Sequence, residues 1–261
     1  MSTGLAGQHA LVTGGGRGIG SVIAEAFASQ GARVTIVGRT EADLARTAAA
    51  IRHRFKTEVH TATCDVAAEG DVRRAFDGAA AALGAVQILV NNAGQADAGP
   101  FESISLDAWN RMLAVNLTGT FLCTQRVLPA MIAAGAGRIV NIASTAGLKG
   151  YTRIAAYCTA KHGVVGLTRA LAAETARTGV TVNAVCPGYT EGTDLFAAAV
   201  SNVMRTKKVS AEDARAILAK PSPRGTLITP QEVADTVLWL CSAGASAITG
   251  QAVAVAAGEV M

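Results

Sequence analysis

Short apolar runs rich in Val, Ile and Thr recur along the chain and alternate with Ala-rich stretches of helical length. Such runs are too short for helices, and their bounding turns and β-branched residues favour strands that feed a parallel sheet through repeated βαβ units. Strands are expected at about 9–13, 33–37, 58–63, 87–91, 137–143, 180–185 and 252–256. Helices are expected at about 18–30, 41–54, 69–83, 107–133, 154–178 and 230–242. No internal repeat or low-complexity linker divides the chain, so the pattern implies one α/β domain over residues 1–261.

One segment breaks the alternation. Between Pro187 and Pro230 lie about forty residues without a strand signal, longer than an ordinary connection in a compact domain. Residues 194–204 (DLFAAAVSNVM) and 210–219 (SAEDARAILA) read as two short helices, the second with Ser210 as cap and Asp213 in an acidic first turn. The segment is read as a substrate lid inserted at about 190–225.

Composition narrows the class. Half the residues are hydrophobic but only 4% are aromatic, and 28 glycines stand against 6 prolines, which suits an aliphatic core with many tight turns. The five cysteines, Cys64, Cys123, Cys158, Cys186 and Cys241, have no metal-ligand spacing and read as reduced thiols, which points to the cytoplasm. No basic region precedes an apolar run at the start, and the uncharged stretch 78–96 is broken by Gly84, Gln87, Asn91 and Asn92, so neither a secretory signal nor a membrane span is expected. A formal charge of +4, dispersed along the chain, argues against nucleic acid; Arg52, Arg54 and Lys56 read as a solvated helix end.

Chemistry first appears at TGGGRGIG, residues 13–20, between a predicted strand and a predicted helix. Glycines in that context let a pyrophosphate rest on backbone N–H groups at a positive helix end. Gly14, Gly18 and Gly20 carry the spacing, and Gly16, Arg17 and Ile19 complete the turn. At the tip of the second strand, where a carboxylate would select a free ribose 2′-hydroxyl, the chain reads VTIVGRT. Gly38 stands at the acid's place, Arg39 follows, and Arg17 is close enough in the turn to share a 2′-phosphate, which predicts NADP(H). Further on, YCTAK (157–161) sets Tyr157 and Lys161 one helical turn apart, so that they project together and the ammonium makes the phenol a stronger acid.

With TGGGRGIG, CDV (64–66), NNAG (91–94), NIAS (141–144), YCTAK and NAVCPG (183–188) in order, the sequence resembles the short-chain dehydrogenase/reductase family over nearly its full length. The resemblance implies a Rossmann-type doubly wound fold, with a seven-stranded parallel sheet between two helical layers, and a homotetramer. It places the family's catalytic set on Asn116, Ser144, Tyr157 and Lys161. Tyr157 would exchange a proton with the substrate oxygen, Lys161 would acidify it and hold the nicotinamide ribose, Ser144 would hydrogen-bond the substrate oxygen, and Asn116 would hold a water that joins Lys161 to solvent. By the same likeness Asp65 and Val66 would meet the adenine, Asn92, Ala93 and Gly94 the adenosine side, and Pro187 and Gly188 the nicotinamide. A threonine usual five residues past the proline is Gly192 here; Thr190, on one side of it, joins the cofactor set, and Thr193 lies on the other. The last strand ends AVAAG where family members often carry an aspartate-glycine-glycine turn.

GRIVNIASTAG and ARTGVTVNAVCPG look most like reductases of 3-ketoacyl groups bound to CoA or a carrier protein, polyketide ketoreductases included. Met204, Arg205, Thr206, Lys207 and Lys208 would put three cations beside an apolar helix at the entrance, which suits an acyl chain on a phosphorylated pantetheine arm as well as a plain solvated turn. An oxidoreductase of free alcohols, sugars or fused-ring ketones, and a non-catalytic nucleotide sensor, are the competing readings.

Overall fold

The computed structural model describes residues 4–260. Its seven strands are β1 (His9–Thr13), β2 (Arg33–Gly38), β3 (Val59–Thr63), β4 (Ile88–Asn91), β5 (Gly137–Ile142), β6 (Val180–Pro187) and β7 (Ala252–Val255). They form one sheet, parallel at every pairing, in the order β3-β2-β1-β4-β5-β6-β7. Helices α1 (Gly18–Ser29), α2 (Glu41–Phe55), α3 (Glu69–Leu83), α4 (Leu106–Leu113), α5 (Gly119–Ala133) and α6 (Ala155–Thr175) provide the crossovers. Two more, α7 (Asp194–Lys207) and α8 (Ala211–Ala219), precede α9 (Pro230–Cys241). The chain therefore has the expected doubly wound Rossmann-type fold.

Strand residues alternate between two cores, which is why the runs are continuously apolar. Ala10, Val12, Val34, Ile36, Ile88 and Val90 pack with Ile23 and Phe27 of α1 and Val233, Val237 and Leu240 of α9. Leu11, Val37, Leu89 and Ile139 face the other way, onto Val72 and Phe76 of α3 and Cys123, Val127 and Met131 of α5. Burying each large side chain of this kind stabilises the fold by about 1.5–3 kcal/mol. Chain direction across the sheet reverses between β1 and β4, and open α/β sheets collect ligands at the carboxyl ends of the strands beside such a switch.

Element boundaries agree with expectation to within a few residues except in one place. The helix expected at 107–133 is α4, a π-helical turn at Ala114–Thr118, and α5. Asn116 explains the interruption: its Nδ2 donates to the Met112 carbonyl four residues back, occupying an acceptor that α-helical geometry reserves for a backbone N–H. At the end of the turn the Gly119 N–H donates to Ala114, five residues back. In the long segment, Ser210 caps α8 by accepting from the Asp213 N–H, as its sequence implies, and Thr193 caps α7 in the same way. All five cysteines are free thiols, and no described helix is long and apolar enough to cross a membrane.

Candidate active site

A cavity of about 1090 Å³ opens at the carboxyl ends of the central strands. One end is the turn between β1 and α1, where Gly14 has φ 65° and an added Cβ would stand 2.9 Å from Asn92 Nδ2. The turn is pinned from β4: the Asn92 amide donates to the Thr13 carbonyl at 2.9 Å and to Gly14 at 3.3 Å, while the Asn92 and Ala93 N–H groups donate to Thr13 Oγ1. Gly14, Gly16, Arg17, Gly18 and Ile19 line the cavity. Gly20 does not; a Cβ there would fall 2.3 Å from the Gly14 carbonyl oxygen, so this glycine lets α1 close against the turn.

The tip of β2 brings Gly38, Arg39 and Thr40 into the same wall. Arg39 is exposed and has no ion pair among the described residues. Arg17 is engaged: its Nη1 lies 2.7 Å from Asp194 Oδ2 at the start of α7, an exposed pair worth at most about 1 kcal/mol. Asp65 and Val66 line the wall beyond; one Asp65 oxygen already accepts from the Ala67 N–H.

The other end holds Asn116, Ser144, Tyr157 and Lys161, all of which line the cavity. Tyr157 and Lys161 sit one turn apart on α6, with Lys161 Nζ 5.6 Å from the centre of the Tyr157 ring. Lys161 is almost completely buried and donates to the Ile142 carbonyl at 2.8 Å, at the end of β5. Ser144 follows that strand; its Oγ accepts from the Ala146 N–H, capping a short 3-10 turn, and its hydroxyl also hydrogen-bonds Tyr157. Gly94 separates Asn116 from Lys161, since a Cβ there would meet Asn116 Oδ1 at 2.8 Å and Lys161 Nζ at 3.6 Å. The Asn116 amide exchanges hydrogen bonds with the Gln95 backbone, which fixes the loop after β4.

The electrostatics differ from the sequence reading. Burial pushes the Tyr157 phenol up to about 12, opposed by the Ser144 hydrogen bond, and brings Lys161 down to about 8. Lys161 does not offset burial at the phenol, because desolvation brings the ammonium to about 8, so that it has given up its charge before Tyr157 titrates.

Pro187, Gly188 and Thr190 complete the set. Thr190 Oγ1 donates to the Gly188 carbonyl and Thr193 Oγ1 to the Thr190 carbonyl, while Gly192 has φ 68°, a conformation that explains glycine where the family pattern has threonine. Of the basic stretch, Arg205, Thr206 and Lys207 line the cavity, whereas Met204 and Lys208 do not. Sequence reasoning missed Thr40, Gln95, Tyr151, Tyr189 and Phe196 in the wall. Thr40 and Gln95 adjoin motifs that were read; the two tyrosines and Phe196 carry no local signal and enter only through folding.

The short chain dehydrogenase family model matches residues 8–203. A putative ketoacyl reductase of Streptomyces coelicolor is 41% identical over 96% of this chain and 96% of its own length. The 3-oxoacyl-[acyl-carrier-protein] reductase of Aquifex aeolicus is 39% identical over 99% of each. A variant of actinorhodin polyketide ketoreductase, crystallised with NADPH, superposes with a TM-score of 0.93 at 40% identity, covering 97% of both chains. Fold, site and these likenesses agree: the chain belongs to the short-chain dehydrogenase/reductase family of oxidoreductases.

Proposed function

We propose that this chain reduces 3-ketoacyl groups held as thioesters on CoA or a carrier protein, using NADP(H), or runs the reverse oxidation of 3-hydroxyacyl groups. The observation that carries the reading is the convergence of Ser144, Tyr157 and Lys161 on one cavity whose far end has two arginines and no carboxylate at position 38. The residues fit a phosphorylated dinucleotide: Gly14, Gly16 and Gly18 line one end of the cavity with bare backbone, and Arg39, without an ion pair among the described residues, is free to meet a 2′-phosphate. When bound, the nicotinamide supplies the hydride.

The protein's own part is to hold the carbonyl and deliver a proton. Ser144 hydrogen-bonds the substrate oxygen and stabilises charge as it develops there. Tyr157, protonated at neutral pH with its phenol held near 12, gives its proton to that oxygen. Lys161 provides positive charge beside the ring and a donor toward the cofactor ribose, and Asn116 keeps the loop after β4 in register with Lys161. Apolar side chains of Phe196, Val203 and Leu218 with Arg205 and Lys207 at the rim suit an acyl chain on a phosphorylated arm, with α7 and α8 as its lid. Both ketoacyl reductase relatives support the substrate class. Exposed Phe121, Ile132 and Trp239 offer contact surface for a homotetramer.

Tyr157→Phe tests the reading. The variant is expected to bind NADPH as the parent does and to lose turnover of acetoacetyl-CoA by roughly 10²-fold or more. Retained turnover would refute the assignment.

A further inference from the structure

A second tyrosine faces the cavity between Ser144 and Tyr157 in the chain, and its phenolic proton is already committed. Tyr151 lines the wall, yet its O–H donates to Glu259 Oε1, in the segment after β7. Thr145 stands beside the same hydroxyl. Glu259 is a carboxylate with a side chain only 5% exposed, a placement that demands partners. Lys149 supplies one: its Nζ lies 3.5 Å from Oε1, donates to the Glu259 backbone carbonyl at 3.1 Å, and sits 5.0 Å from the centre of the Tyr151 ring.

The backbone is bent to bring this carboxylate in. Ala257 has φ 50° and Gly258 φ 89°, so two successive residues take the left-handed side, one of them a residue with a Cβ. A Cβ on Gly258 would lie 3.1 Å from Pro223, and one on Gly188 would lie 3.1 Å from Glu259 Oε2. The tail therefore wedges between the Pro187–Gly188 turn and the segment before α9, with its carboxylate aimed at Tyr151. No local sequence motif accounts for it.

We propose that Glu259 is a positioning residue that takes up the Tyr151 hydroxyl and leaves the ring as an apolar wall on the substrate side of the cleft, selecting hydrocarbon next to the reacting carbonyl. This rests on the ketoacyl reading and narrows it. A substrate hydroxyl that needs a donor finds none in that phenol, because its single proton already goes to Glu259, and an unpaired polar group there costs binding.

The experiment compares the parent protein with Glu259→Ala, Glu259→Gln, Tyr151→Phe and the double variant Tyr151→Phe/Glu259→Ala. Acetoacetyl-CoA and the ketose erythrulose are offered with NADPH, and folding is checked by NADPH titration. The parent's preference between the two substrates tests the ketoacyl reading by itself. The variants, assayed with both substrates, test Glu259: Glu259→Ala should narrow the parent's preference for acetoacetyl-CoA over erythrulose, and an unchanged preference would overturn the proposal.

Glu259→Ala is expected to raise the KM for the carbonyl substrate roughly tenfold, with the KM for NADPH within about twofold, and Glu259→Gln, which keeps an acceptor, to restore most of the loss. Because Glu259 acts through Tyr151, the double variant should lose no more than the worse single one. Additive losses, an equal rise in both KM values, or an unchanged substrate KM in Glu259→Ala would each overturn the proposal.

Discussion

At the scale of single residues, position matters less than what each side chain's polar atoms already hold. Arg17 and Arg39 look equivalent in the sequence, but Arg17 already has an exposed carboxylate partner in Asp194, while Arg39 has none among the described residues. Arg39 is therefore expected to carry most of the discrimination between cofactors. Arg39→Ala should raise the KM for NADPH about tenfold or more, the worth of one charge-assisted hydrogen bond, and leave the KM for NADH within about twofold. Steady-state kinetics with both cofactors checks this, and equal effects would remove Arg39 from phosphate recognition. Tyr157 and Lys161 teach the same lesson. Their spacing on one helix face was legible, but the direction of the phenol's shift was not, because burial is a property of everything packed around the pair.

At the scale of elements, two departures from regular structure place the chemistry. The π turn at Ala114–Thr118 carries Asn116 to the Gln95 loop, and sequence periodicity cannot show it, since apolar spacing hardly changes across a single inserted residue. The glycine turn is held by contacts closer than any side chain allows. Gly20→Ala would set a methyl group 2.3 Å from the Gly14 carbonyl oxygen. The substitution should cost about 1–3 kcal/mol or more of stability and weaken NADPH binding, as urea unfolding and cofactor titration would register. A stable variant that binds NADPH normally would mean that α1 can shift away from the turn without consequence.

For the whole molecule, stability is tied to a buried imidazole. His9 in β1 is fully buried between the Gly84 carbonyl and Thr35 Oγ1, each 2.8 Å away, and burial holds its pKa below the ordinary histidine value. The unfolded chain takes up that proton more readily than the folded one, so stability is fully present above about pH 6.5 and declines as pH falls toward the folded value. The decline approaches about 1.4 kcal/mol per pH unit for this one group, and His9→Gln should flatten it in urea titrations between pH 7.5 and 5. An unchanged slope in the variant would exonerate His9. Taken together, the sequence by itself determined the α/β class, the seven strands, the glycine turn and the Tyr157–Lys161 pair, because hydrophobic period and helix-face spacing are local quantities. Only the tertiary structure decided that Asp194 holds Arg17, that Asn92 ties down the glycine turn, and that Glu259 reaches Tyr151 across 108 residues of chain. Those partners are chosen by how distant segments meet at the carboxyl edge of the sheet, and no local pattern encodes that meeting.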